Sequence, residues 1–102
     1  MALEQKSYIG TSTGNTWLDL ITGAATVTSL TLANLSLGDV SVAVQISKAS
    51  GGSAYIVPDH TLPMRGSSRM ALPAVVLEEG DKLQVKSSSS VDWVASITRA
   101  VV

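Results

Sequence analysis

The sequence predicts an all-β chain: a single antiparallel β-sandwich, jelly-roll- or immunoglobulin-like, of about eight short strands. Three observations predict it. Apolar and polar residues alternate at period two in several stretches, the pattern of strands with one buried face. Turn signals rich in Gly, Pro, Asn, Asp and Ser recur about every 8–12 residues. Ser and Thr supply 24 of the 102 residues, Val and Ile are frequent, and Lys, Glu and Gln are sparse. That balance favours strands and tight turns, and no window of about twelve residues carries a helical period.

The clearest element covers residues 40–48, where Val40, Val42, Val44 and Ile46 alternate with Ser41, Ala43, Gln45 and Ser47. Residues 49–53, with Gly51 and Gly52, make a hairpin loop. Residues 54–57 read as the returning strand, ended by Pro58, which cannot donate to a ladder. In residues 25–34, Leu30 and Leu32 share a face while Val27 falls on the other, so either both faces are covered or a bulge intervenes. Residues 17–21 form a short strand. Residues 67–72 and 74–77 are short strands around Pro73. Glu78-Glu79-Gly80-Asp81 is a polar, solvated turn. Leu83 and Val85 then alternate with Lys82, Gln84 and Lys86, whose side chains form a solvated face. Residues 87–90 are a serine turn, and Val91, Trp93, Ala95 and Ile97 define the last strand. The expected core contains Val42, Val44, Ile46, Leu83, Val85, Trp93, Ala95 and Ile97. Residues 16–102 are the expected domain, with 1–15 set apart as an N-terminal segment suited to be an arm. Leu35 to Asp39 and Leu77 to Asp81 share the pattern L-x-x-G-D. The apolar phases after the two turns disagree, which indicates shared turn chemistry and no internal repeat.

Hydrophobic residues make up 45%, charged residues 15%, and mean hydropathy is +0.31, which excludes disorder as the main state. Net charge is −1 and the pI about 5.6, so no basic footprint for nucleic acid exists. The absence of cysteine excludes disulfides and thiolate metal sites. Residues 1–6 have no secretory pattern, and the longest apolar stretch, 70–77, contains Pro73 and is far short of the roughly 20 residues a membrane helix needs. No membrane partner is expected.

Few residues suggest chemistry. Gly10-Thr11-Ser12-Thr13-Gly14 matches the nucleophile-elbow pattern, but that elbow needs a strand-to-helix turn, and the residues after Gly14 open a strand. His60 is the single histidine, too few ligands for zinc, and reads as a solvent-facing loop residue. Glu78, Glu79 and Asp81 lack calcium-loop spacing, and Gly51-Gly52-Ser53 lacks the lysine of a phosphate loop. No catalytic, cofactor or metal residues are expected, and no small-molecule substrate. Trp93 falls in phase with the core. Trp17 is out of phase with Leu18 and Leu20, which suits a surface or interface. Residues 70–77 are more continuously apolar than a strand with a solvent face requires, and the sequence ends in Ala100-Val101-Val102. Candidate interface residues are therefore Trp17, Met70, Leu72, Val75, Val76, Val101 and Val102, serving a homo-oligomer or a repeated lattice.

Several segments resemble small all-β virion structural proteins of tailed bacteriophages. They are residues 16–21 (TWLDLI), 27–34 (VTSLTLAN), 38–42 (GDVSV), 54–57 (AYIV), 62–68 (LPMRGSS), 76–87 (VLEEGDKLQVKS) and 91–96 (VDWVAS). The resemblance lies in the ordered series across residues 16–97. It implies a non-enzymatic component of a phage particle, present in multiple copies, which decorates or cements the capsid or belongs to the neck or tail. Its partners would be its own copies and capsid or tail proteins, and its place the virion, after synthesis in the host cytoplasm. The alternative from the residues alone is a small carbohydrate- or surface-binding module that exposes some of its four aromatics around a groove.

Overall fold

The computed structural model describes residues 2–34, 36–63, 67–70 and 75–101. These form β1 (Ala2–Ser12), β2 (Leu18–Thr22), β3 (Ala25–Asn34), β4 (Val40–Ser47), β5 (Ser53–Leu62), β6 (Ser67–Met70), β7 (Val75–Leu77), β8 (Lys82–Ser87) and β9 (Val91–Val101). Every pairing is antiparallel. One sheet runs β1-β9-β3-β6, with β7 also paired to β3, and the other runs β2-β8-β4-β5.

The strand order resolves the choice between sandwich types. An immunoglobulin-like chain keeps its first two strands in one sheet, whereas here β1 and β2 lie in different sheets. The chain changes sheet after β1, β2, β3, β5, β7 and β8, and among the described residues only β4 and β5 form a hairpin within one sheet. With β6 and β7 sharing one position beside β3, this is the eight-position, double-Greek-key jelly roll.

The core lies between the sheets. Val42, Val44, Leu83, Val85, Trp93, Ala95 and Ile97 are buried as the alternation predicts, joined by Val27, Leu30, Leu32, Val40, Leu62, Leu77 and Val91, while Ile46 packs against the cluster half-buried. Val27 reaches the same core as Leu30 because the β3–β9 register shifts between Val27 and Ser29. The extra residue, Thr28, inverts the phase, and its hydroxyl donates to the Ser96 carbonyl at 3.1 Å.

Three expectations change. Residues 2–12, set apart as an arm, pair with β9 from Ala2↔Val101 to Ser12↔Val91 without a register shift. Their apolar alternation is weak because β1 is an edge strand whose inward positions include Gly10 and Ser12. Pro58 does not end the strand after Val57. It lies where β5 shifts register against β4, between Val57 and His60, the bulged edge position that tolerates a missing donor. Asp81 is not solvated but 2% exposed.

Asp81 locks the β7–β8 turn. Its carboxylate accepts from Lys48 Nζ at 2.5 Å, the Ala49 amide at 3.0 Å and the Glu78 amide at 2.9 Å. These bonds, the Lys48 one foremost, lower its pKa from 3.8 to about 2, and the Lys48 pKa rises in return. Gly80 makes the approach feasible: its φ is +85°, and a Cβ there would lie 2.7 Å from Ala49 Cβ.

Candidate interaction surfaces

The outward face of the β2-β8-β4-β5 sheet carries a row of polar side chains set by register. Asp19 on β2 stands opposite Gln84 on β8, which stands opposite Gln45 on β4, which stands opposite Tyr55 on β5. Gln45 Nε2 donates to Gln84 Oε1 and Gln84 Nε2 to Asp19 Oδ1, both at 2.7 Å. Lys82 adds an ion pair to Asp19 at 3.4 Å. The face expected to be simply solvated is thus a connected network.

Beside it, Trp17 from the β2 edge and Tyr55 from the β5 edge meet across the face, ring centroids 5.9 Å apart and tilted 53°. Lys86 Nζ lies 4.9 Å from the Trp17 ring centroid, within cation–π range. Trp17 is half-buried and Tyr55 mostly exposed. Ala43 shares this face, opposite Lys86, yet is 1% exposed. Sequence phase marked Trp17 as off-core. It could not indicate Tyr55 as its partner, because the two rings meet only by reaching across the face of β8 and β4, which separate their edges.

The outward face of the other sheet holds one of the remaining interface candidates, Val76. Val76 on β7 is 61% exposed, and with Leu3, 69% exposed, it lines a groove of about 310 Å³ together with Ala24, Ala25, Thr26, Leu77, Thr98 and Arg99. Further along, Ile9 and Val94 are direct cross-strand partners and both exposed. Val75 points the other way and is buried in the chain's own core, so it offers no free surface. Met70 stands opposite Leu30 and Val101 opposite Ala2. Leu72 and Val102 lie outside the described residues. Trp17 belongs to the opposite sheet, so the seven candidates do not form one patch. Leu3, Ile9 and Val94 escaped the sequence reading because isolated apolar residues on a Ser/Thr-rich strand carry no signal of their own.

The residues considered for chemistry are placed apart. Ser12 is buried at the end of β1, its hydroxyl 2.9 Å from that of Ser87, and the chain continues into strand β2, not a helix. His60 is exposed, and it lies on β5 opposite Val42, not in a loop. Among the described residues no group of three or more His, Cys, Asp or Glu side chains is placed to hold a metal ion. Among them, too, no helix is long and apolar enough to cross a membrane.

No protein-family model matches the chain, and no curated protein matches it. Solved structures do. A chain from the T13 viral particle of infectious bursal disease virus aligns with a TM-score of 0.62 at 12% identity, over 94% of this chain and 31% of that one. A chain of the Gx strain of the same virus aligns at 0.57 and 11% identity, over 95% and 32%. PirA aligns at 0.51 and 16% identity, over 91% of this chain and 93% of its own. This chain therefore spans about a third of the viral chains it matches. At these identities the likeness is one of fold: an all-β sandwich shared with chains of a viral particle.

Proposed function

We propose that this chain is a non-enzymatic structural component of a bacteriophage virion, present in multiple copies, which decorates or cements the capsid or forms part of the neck or tail. The observation that carries the reading is the jelly-roll fold of this chain, which superposes over 94% of its length on part of a chain of an icosahedral viral particle. The ordered phage-like series across residues 16–97 supports it from the sequence side. The exposed Leu3, Val76, Ile9 and Val94 supply apolar surface of the kind neighbours in a particle would cover. The partners are other copies of the chain and capsid or tail proteins, and the site of action is the virion after synthesis in the host cytoplasm. Mass spectrometry of purified particles is the test. The chain should be recovered at many copies per particle, and its absence from intact particles that package normally would refute the reading.

A second reading rests on the Trp17–Tyr55 pair. An exposed aromatic face beside amide side chains and a lysine is the chemistry of a carbohydrate-binding surface, and jelly rolls also serve as lectin domains. Titration of Trp17 fluorescence with oligosaccharides tests it, with Tyr55→Ala as control. A flat titration against a broad glycan panel would remove this reading.

A further inference from the structure

The edges of the two sheets are not equally protected. An open strand edge presents unpaired N–H and C=O groups, and proteins blunt it with shortness, bulges, proline or charge. Strand β2 has five residues and a bulge between Asp19 and Ile21. Strands β6 and β7 have four and three residues. Strand β5 has ten residues, but its pairing shifts register twice and it contains Pro58. Strand β1 differs: eleven residues, no proline, and an unbroken register with β9. Among the described residues no strand pairs with its other edge.

We propose that β1 is the self-association edge, pairing antiparallel with β1 of a second copy about a two-fold axis at Gln5 and joining two sheets into one. This deepens the homo-oligomeric part of the proposed function by naming the surface. The register follows from charge. Glu4 and Lys6 flank Gln5 on one face of β1, 3.4 Å apart as an ion pair and partly exposed. A single charge on an edge repels its own copy, but Glu-x-Lys is self-complementary when antiparallel. A two-fold at Gln5 sets Glu4 opposite the second copy's lysine at position 6, and the reverse, closing a four-charge ring. A two-fold at Lys6 sets like charges directly opposite, which is unfavourable. A two-fold at Ser7 sets Glu4 opposite glycine and Lys6 opposite tyrosine, leaving neither with an opposite charge. The Gln5 register also brings exposed Leu3 diagonally next to the second copy's isoleucine at position 9, within the reach of long side chains. The interface is isologous and closed, so it yields dimers and not fibres.

The absence of native cysteine makes the test direct. Gln5→Cys, Ser7→Cys and, on a remote loop, Ser89→Cys are oxidised in the full chain and followed on non-reducing gels. Gln5→Cys should cross-link at least tenfold faster than the other two, since only directly opposed cysteines meet disulfide geometry. Sedimentation of the unmodified chain should give a dimer at tens of micromolar. Lys6→Glu should shift it to monomer with an unchanged far-UV spectrum, and the swapped pair Glu4→Lys with Lys6→Glu should restore the dimer. A folded monomer at 100 µM, or a dimer indifferent to Lys6→Glu, overturns the proposal, and faster cross-linking at Ser7 overturns its register. A β1 dimer of a protein absent from particles would retire the virion reading alone. A monomer recovered from particles would retire the edge pairing alone.

Discussion

Asp81 shows how one side chain ties distant turns together. It joins the β7–β8 turn to the β4–β5 hairpin through Lys48 and the Ala49 amide, and closes its own turn by accepting from the Glu78 amide. Because its pKa is depressed in the folded state, from 3.8 to about 2, these bonds stabilise fully above about pH 4. Their contribution is lost as the pH falls from about 4 towards 2. Urea midpoints should drop across that window in the parent protein, and Asp81→Asn should flatten the drop while lowering the midpoint at pH 6. Gly10 is constrained by a different cause. A Cβ there would sit 2.7 Å from Trp93 Cζ2, in contact with a rigid buried ring. Gly10→Ala should cost about 1–3 kcal/mol through overpacking, read as a lower melting temperature with a shifted tryptophan emission. Asn34 is buried at the end of β3, and its amide donates to the carbonyls of Gly38, Leu62 and Pro63 while its oxygen accepts from Ser36. Asn34→Ala strips a partner from the buried Leu62 carbonyl and from the part-buried Gly38 and Pro63 carbonyls, and should destabilise by about 1–3 kcal/mol in chemical denaturation.

At the scale of elements, bulges set the phase. The β3 sequence contains two half-strands whose apolar positions contradict each other, Val27 against Leu30 and Leu32. The bulge at Thr28 reconciles them, and all three become fully buried. Deleting Thr28 restores a regular strand and sends one half outward, since a one-residue slip exchanges the faces. The deletion variant should lose its cooperative thermal transition and near-UV dichroism, whereas Thr28→Ser, which keeps the residue count, should retain both. The two irregularities of β5 serve a second purpose: the one between Val57 and His60 accommodates Pro58, and together they spoil that edge for pairing. Strand β1 lacks such devices, and Glu4 and Lys6 are what distinguishes its edge.

For the whole molecule, the pairing of β1 with β9 joins the two ends of the described chain. Most strand contacts in a jelly roll are non-local, so loop-closure entropy is spent before contacts compensate it. Refolding should therefore take milliseconds to seconds, and a stopped-flow trace complete within about 100 µs would contradict this. Removing residues 2–12 would uncover Trp93, strip Tyr8 from the margin of the core and expose β9 as a new edge. Such a truncation should aggregate where the intact chain stays in solution, as light scattering would report.

Alternation at residues 40–46, 83–85 and 91–97 placed strands and chose their buried faces, because a period of two is a local property that any neighbouring sheet must respect. Trp93 as core and Trp17 as off-core followed from the same phase. The sequence also offered both explanations of Val27, and only pairing with β9 selected the bulge. Strand order was beyond reach, since short alternating strands look alike whether their neighbours lie about 10 or about 90 residues away. The strand role of residues 2–12, the burial of Asp81 beneath Lys48 and the meeting of Trp17 with Tyr55 were likewise decided by tertiary structure. Each depends on which surfaces the two sheets bring together, and no local pattern of residues encodes that juxtaposition.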